Sequence, residues 1–503
     1  MKRRALKKLL IANRGEIALR VIRSARLLGL KTVAVFSEVD RASMHVAEAD
    51  EARLIGPAPP AESYLNIDAV LRAAIESGAD AIHPGYGFLS ERPAFARAVE
   101  KAGLIFVGPS SSAMEAVGDK VAARHLASQV KVPIVPGIET ADPSPVREFA
   151  KKVGYPIVVK AAAGGGGRGM RVIEAEGALE AGVESAAREA QAAFGDGRVF
   201  VEKYLAHPRH VEVQILGDSH GKIVALGERE CSIQRRHQKL IEESPSVAVD
   251  ENLRARICDA AVRLARAVGY QNAGTFEFLL EDGEFYLLEA NARLQVEHPV
   301  TEIRFGCDLV AEQLRIAAGE HVSDPFAPRG ATIECRITAE DAEHDFRPAI
   351  GRVSYLHLPN APGVRIDTFL TEGAEISAHY DSLLAKVICY GANREEARRR
   401  MLLALDEVVI VGLHHTTAFL RDVIASGQFE RGELSTHFVD DHFNGWRYDA
   451  SAENAALIAA ALVASRAIGK RESAASSSKN GKIEQRDQSP WSMLGGFQLW
   501  ERR

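Results

Sequence analysis

The first ~115 residues alternate short apolar strands with helix-period segments, and this restricts the fold more than any other feature of the chain. Leu9-Leu10-Ile11-Ala12 has the all-apolar character of a strand covered on both faces. The turn Asn13-Arg14-Gly15-Glu16 follows it. Ile17, Val21, Ile22 and Leu28 then keep near-helical spacing until Thr32-Val33-Ala34-Val35-Phe36 resumes a strand. Later strands are expected at Ala79 to Ile82 and at Leu104 to Val107. Repeated units of this kind imply an α/β fold with a parallel, doubly wound sheet. The turn after the first strand lacks G-x-G-x-x-G, which speaks against a dinucleotide cofactor.

At 503 residues the chain has room for roughly three domains. Its 62 basic and 68 acidic residues are spread along the chain and leave a net charge of −6, which argues against nucleic acid or a membrane surface as partner. Five cysteines (Cys231, Cys258, Cys307, Cys335, Cys389) form no C-x-x-C, so neither a disulfide framework nor a structural zinc site is expected. No apolar run approaches the ~20 residues that span a bilayer. The basic start Met1-Lys2-Arg3-Arg4 leads into an apolar stretch that Asn13-Arg14 interrupts too soon for a signal peptide. A cytoplasmic enzyme is the expectation.

Composition shifts divide the chain into residues 1–115, 116–330, 331–446 and 447–503. The second unit opens near Gly118-Asp119-Lys120 and holds a glycine run, Gly164 to Gly167 and Gly169, directly after the strand Ile157 to Lys160. The third opens with Ile333-Glu334-Cys335-Arg336. Beyond Trp446 an alanine-rich helix is expected over 452–467, followed by a linker of Ser, Lys, Gly and Asp.

Two strands, Thr275 to Leu280 and Phe285 to Glu289, flank the turn Glu281-Asp282-Gly283-Glu284. A two-residue turn pairs 281 with 284 and sets Glu277 opposite Leu288. A register one residue longer sets Glu277 opposite Glu289 and gathers Phe276, Phe278, Leu280, Tyr286 and Leu288 on one apolar face, so the longer register is expected. Two carboxylates side by side repel unless neutralised, and a hard divalent cation suits them, with Asn291 adding an amide oxygen. An exposed edge pair without metal is the alternative.

The glycine run after Lys160 can wrap a phosphate with backbone N–H groups, although no Gly-Lys-Ser/Thr marks it as a Walker loop. On its own it could equally be a flexible loop. With Lys120, Lys160, Lys239 and the paired carboxylates, it points to nucleotide binding. In Glu289 to His298, Arg293 offers a planar fork for a carboxylate or bicarbonate, and Glu297 beside it is a candidate general base. A solvated loop of mixed charge is the ordinary fate of such a segment. Arg336, within an apolar strand, reads by itself as an ion-pair partner.

Taken together, Ile11 to Ala18, His83 to Glu91, the glycine loop through Arg168-Gly169-Met170, Gln234 to Lys239 and Gln295 to Glu302 resemble biotin carboxylase, over residues ~6–445. The resemblance implies a Rossmann-like N-terminal domain, an ATP-grasp module with a mobile lid over 131–203, and a C-terminal domain closing the site. It implies that ATP and bicarbonate give carboxyphosphate, whose carboxyl passes to N1 of biotin. By motif position, Lys120, Lys160, Gly166, Gly167, Glu202, Lys203, Leu205, His210, Gln234 and His237 would hold ATP. Glu277, Glu289 and Asn291 would hold Mg²⁺ or Mn²⁺. Lys239, Arg293, Gln295 and Val296 would bind bicarbonate, with Glu297 its base, and Arg336 would stabilise the biotin enolate.

The chain departs from the family pattern at Ala163, Ala290 and Ala292, none of them an implied ligand. Two other readings stand beside this one: a different ATP-grasp carboxylate ligase, or a non-catalytic nucleotide-binding assembly subunit. Met-Lys-Met, the usual biotin attachment site, does not occur, so the carrier is expected to be another protein or domain. A carboxyltransferase subunit and a homodimer or larger complex are further expectations. Ser489 to Trp500 resembles the opening of the domain that follows the carboxylase in acyl-CoA carboxylase α subunits, such as the methylcrotonyl type.

Overall fold

A computed structural model describes residues 6–140, 142–161, 171–194, 199–323 and 327–449. All the elements below lie in the unit Met1–Trp446. The expected helix over 452–467, the linker and the segment Ser489 to Trp500 lie outside the described residues, as do Ala163, Gly166 and Gly167.

Strands β1 (Lys8–Ile11), β2 (Lys31–Ser37), β3 (Glu51–Gly56), β4 (Ala81–His83) and β5 (Ile105–Phe106) form one sheet in the order β3-β2-β1-β4-β5. Every pairing in it is parallel, as the alternation implies. Helix α1 (Gly15–Leu27) follows β1 and buries Ile17, Val21 and Ile22. Strand order reverses between β1 and β4, so their following loops leave the same sheet edge and open a crevice there. Asn13 ties the two loops together, its Nδ2 donating to the Pro84 and Tyr86 carbonyls at 2.8 and 2.7 Å. Gly85 is required at this crossing: its φ is +63°, and a Cβ would sit 2.8 Å from Asn13 Nδ2.

A second sheet is antiparallel and built from β6 (Gly137–Glu139), β7 (Ile157–Ala161), β8 (Arg171–Ile173) and β9 (Val199–Lys203), in the order β6-β9-β7-β8. It has a core of its own, in which Ile157, Val159, Val199 and Val201 meet Val146, Leu179 and Val183. Helix α2 (Lys120–Gln129) precedes it, capped by the Asp119 side chain.

The third sheet has eight antiparallel strands: β10 (Arg209–Gly217), β11 (Ile223–Arg235), β12 (Gln238–Ser244), β13 (Asn272–Glu281), β14 (Glu284–Asn291), β15 (Ala331–Thr338), β16 (Val364–Thr368) and β17 (Leu383–Gly391). Their order is β14-β13-β10-β11-β12-β15-β17-β16, so the β12–β15 pairing carries the sheet through residue 331 without a break. One face is apolar. Val211, Val213, Phe276 and Phe278 pack on α3 (Glu251–Ala267), while Ile333, Cys335 and Val387 pack with Met401 and Leu405 of α5 (Arg394–Glu407). Alternation then sends His210, Glu212, Glu277, Glu334 and Arg336 to the opposite face, where α4 (His298–Phe305) also packs.

Two bulges re-aim side chains on that face. In β14, Leu280, Leu279 and Phe278 pair with Phe285, Tyr286 and Leu287, but Glu277 pairs with Glu289, leaving Leu288 as an extra residue. The expected longer register therefore holds for Thr275 to Glu277 against Glu289 to Asn291, including the Glu277–Glu289 pair, but not between the bulge and the turn. Glu281 does pair with Glu284, and Asp282 and Gly283 take φ of +53° and +77°, as a two-residue turn requires. Leu288 is 43% exposed and Tyr286 half-buried, while Phe285 and Leu287 fill the apolar face instead. In β12, Ile241 pairs with Ile233 but Lys239 with Gln234, so Leu240 is extra and Lys239 turns to the polar face.

Candidate active site

A cavity of about 1400 Å³ opens between the four-stranded and eight-stranded sheets and reaches the crevice beyond β1 and β4. Every candidate site residue whose side chain is described lines it. From the smaller sheet come Lys160, Glu202 and Lys203, with Leu205 just beyond. From the larger come His210, Gln234, His237, Lys239, Glu277, Glu289, Asn291 and Arg336; the segment after β14 adds Arg293, Gln295, Val296 and Glu297. The backbone of Lys120 opens α2, and Gly166 and Gly167 fall outside the described residues.

At the small-sheet end, the Lys160 ammonium lies 2.6 Å from one Glu202 oxygen, and Arg124 donates to the other at 2.5 Å. This carboxylate is already paired with two cations, so its part in holding a nucleotide would run through Lys160. The turn joining β11 and β12 puts Arg236 and His237 at φ +49° and +66°, leaving Gln234 and His237 at the cavity wall.

Lys239 is the hub of the polar face. Its Nζ lies 2.5 Å from Glu212, 3.0 Å from Glu277 and 2.7 Å from Glu297. Glu277 also accepts from His210 Nε2 at 2.5 Å and from Asn291 and Gln295 at 2.7 Å each. At 3% exposure it is not part of an exposed edge pair. Burial alone would raise its pKa, but Lys239 and His210 outweigh that and hold it well below the usual carboxylate range. Glu289 lies opposite, half-buried on the edge strand. Glu277, Glu289 and Asn291 carry oxygens of the kind a hard divalent cation takes, although here the Asn291 amide donates to Glu277 and its oxygen accepts from Arg293.

Arg293 is held on three sides: Nε donates to Glu91 at 2.9 Å, Nη1 to Gln295 at 2.6 Å and Nη2 to Asn291 Oδ1 at 2.9 Å. Its planar fork is thus oriented before any ligand arrives. Glu297 receives Lys239 on one oxygen and Arg336 Nη2 on the other at 2.9 Å. Although buried, it is held far below its usual pKa by Lys239, Arg336 and Arg229. Arg336 also donates through Nε to Glu242 at 2.6 Å. It is an ion-pair partner, as its sequence context suggests, and it lines the cavity as well.

Some contributors have no chemical role assigned to them by the sequence. Glu91 closes the His83 to Glu91 segment yet shows its role only through Arg293. Arg229, wholly buried, binds Glu212 and donates to Gln214 and Thr301 at 2.9 Å each, fixing the carboxylate that Lys239 needs. The signal for Glu212 and Gln214 was strand alternation, Val-Glu-Val-Gln-Ile, with the polar residues on the face opposite the core.

A nucleotide-sized cavity between two antiparallel sheets, lined by lysines, paired carboxylates and an oriented arginine, defines an ATP-grasp ligase. Family models agree: the biotin carboxylase N-terminal domain matches residues 5–114, the ATP-binding domain of the carbamoyl-phosphate synthase L chain matches 119–324, and the biotin carboxylase C-terminal domain matches 334–441. Biotin carboxylase of Haemophilus influenzae is 49% identical over 441 residues, covering 86% of this chain and 98% of that one. The methylcrotonoyl-CoA carboxylase subunit alpha of Dictyostelium discoideum is 45% identical over 99% of this chain and 71% of its own. Among solved structures, a biotin carboxylase complex from Campylobacter jejuni superposes with a TM-score of 0.80 at 43% identity, covering 87% and 99% of the two chains. The biotin carboxylase domain dimer of Hydrogenobacter thermophilus 2-oxoglutarate carboxylase, solved with MgADP, ADP and bicarbonate, gives 0.80 at 42%, covering 88% and 99%. The chain belongs to the biotin carboxylase family.

Proposed function

We propose that the chain carboxylates biotin with bicarbonate at the expense of ATP, through carboxyphosphate, and that Lys239, Glu297 and Arg336 carry the chemistry. The supporting observation is that Glu297 shares its two oxygens between Lys239 and Arg336, so that one carboxylate joins the phosphate end of the cavity to the carboxyl-accepting end. ATP would lie along Lys160, Lys203, His210, Gln234 and His237, with Lys120 and the glycine loop Gly166-Gly167 completing its site. Glu277, Glu289 and Asn291 would hold Mg²⁺ or Mn²⁺, which when bound neutralises phosphate charge.

Bicarbonate would dock on the Arg293 fork beside Gln295 and Val296. Its oxygen attacks the γ-phosphorus as Glu297 takes its proton, and ADP leaves. With both cations on it, Glu297 is a weak base. An anionic substrate that draws the Lys239 ammonium to itself makes the carboxylate more basic at the moment it is needed. Arg336 would then meet the negative charge that develops on the biotin ureido oxygen as the phosphate released from carboxyphosphate takes the N1 proton and the carboxyl passes to N1.

Biotin would arrive on a carrier protein or domain, and a carboxyltransferase subunit would supply the final acceptor. The methylcrotonyl-CoA type is the acceptor class we favour, because that relative aligns over 99% of this chain, beyond the catalytic unit. A dimer is proposed by likeness to the Hydrogenobacter domain dimer. Among the described residues no helix is long and apolar enough to cross a membrane. A cytoplasmic setting is proposed from five free cysteines. Phosphate release from ATP tests the reading: it should require bicarbonate and rise with free biotin, and indifference to both would overturn it.

A further inference from the structure

Behind Arg336 lies a second pair of carboxyls that the reaction scheme does not use. Glu242 on β12 and Glu334 on β15 are cross-strand partners on the polar face, and both are wholly buried. Directly paired residues bring their Cβ atoms to within about 5.5 Å, so the two carboxyl groups are neighbours. Glu242 gives one oxygen to Arg336 Nε at 2.6 Å. Its other oxygen has no hydrogen-bond partner, and neither oxygen of Glu334 has one. Three buried, unpartnered oxygens on two adjacent carboxyls are costly if both groups are ionised, because like charges oppose each other with no donor between them.

We propose that Glu242 and Glu334 share one proton and act as positioning residues for Arg336, the ionised Glu242 fixing the guanidinium edge so that its free side faces the carboxyl-accepting end of the cavity. One shared proton satisfies two of the three orphaned oxygens at once. It leaves a single negative charge facing Arg336, which balances the guanidinium without pulling it away from Glu297. The charged surroundings agree. Arg336 on the same strand, Lys386 from β17, and Glu297 and Lys239 from the site all act on the pair, while α4 brings His298, Glu302 and Arg304 to that side of the sheet. Lys386 is engaged elsewhere, donating to the Val296 carbonyl at 3.0 Å and lying 3.1 Å from Glu16. Burial pushes the Glu242 carboxyl up to about 7 against the pull of Arg336, and pushes Glu334 higher than its usual range despite Lys386.

The inference rests on the placement of Arg336 at the carboxyl-accepting end, and two readouts separate it from that reading. Infrared difference spectroscopy of the full chain at pH 7, in H₂O against D₂O, should show a protonated carboxylic acid band that weakens by one group in Glu334→Gln and persists in Glu242→Gln, where the buried Glu334 keeps the proton. Biotin-stimulated turnover should fall about tenfold or more in Glu242→Gln, with the KM for ATP within twofold. Glu334→Gln keeps a neutral donor beside Glu242, so it should retain more turnover than Glu334→Leu and should move the alkaline limb of the pH profile upward. An undiminished acid band in Glu334→Gln, or an alkaline limb that stays in place, would overturn the proposal. If Glu334→Leu fails to fold, the band and the pH profile of Glu334→Gln still decide. Should the unaltered chain show no biotin-dependent turnover, the functional reading falls, and the infrared result judges the carboxyl pair alone.

Discussion

Lys239 Nζ lies 2.7 Å from Glu297 Oε1, and the same ammonium reaches Glu212 and Glu277. One ammonium is shared by three buried carboxylates, so its removal has consequences beyond catalysis. Lys239→Met should destabilise the protein by about 3–5 kcal/mol, the cost of leaving buried charges unpaired. Urea denaturation of the two proteins measures this, and a shift under about 1 kcal/mol would mean the carboxylates are neutralised another way.

Glu297→Gln removes the proposed base while keeping the shape of the side chain. The expected result is a loss of about 10²–10⁴ in kcat for bicarbonate-dependent phosphate release, with the KM for ATP nearly unchanged. Steady-state kinetics with ATP and bicarbonate varied separately distinguish this from a binding defect.

Glu91 orients Arg293 from outside the site. Glu91→Ala should raise the KM for bicarbonate by about tenfold, or 1.4 kcal/mol, and leave ATP binding intact. Glu91→Asp should behave the same way if the distance matters, because the shorter side chain cannot reach Nε.

The bulge at Leu288 is what places Glu289 opposite Glu277. Glu289→Gln should therefore raise the Mg²⁺ concentration for half-maximal activity by at least about tenfold. Glu284→Gln, at the exposed turn end of the same hairpin, should leave it unchanged. Metal titrations of phosphate release compare the two.

His83 is wholly buried. Its Nδ1 accepts from the Gly85 N–H at 3.0 Å, and its Nε2 faces Gln313 Oε1 at 3.2 Å, so the ring is held neutral. Burial pulls its pKa down to about 4, against ~6.5 in the unfolded chain. Between those values the unfolded state binds more protons. The stabilisation is therefore complete above pH ~6.5 and is lost as pH falls toward 4, by about 3 kcal/mol in all. His83→Gln should flatten the acid side of the stability profile over that window, as followed by denaturant midpoints.

The parallel sheet was legible because a strand buried on both faces and followed by a helix-period segment leaves few alternatives. The carboxylate pair was legible too, but by the wrong route. Apolar alternation cannot reveal a bulge, so a longer register was expected where Leu288 is instead extruded and the turn keeps two residues. The bulge at Leu240, which turns Lys239 to the site, was hidden for the same reason. Glu91, Arg229, Glu242 and Glu334 gave little local signal. Each acts on a partner distant in sequence, and only the pairing of β10, β11, β12 and β15 brings those partners together.

Transfer of label from bicarbonate to biotin tests the central claim most directly. With ATP, Mg²⁺ and free biotin, the protein should produce carboxylated biotin from labelled bicarbonate, with at least one ATP consumed per carboxyl transferred, and Glu297→Gln should produce almost none. Label appearing in biotin without ATP, or ATP consumed with bicarbonate and biotin present but no label transferred, would contradict the account.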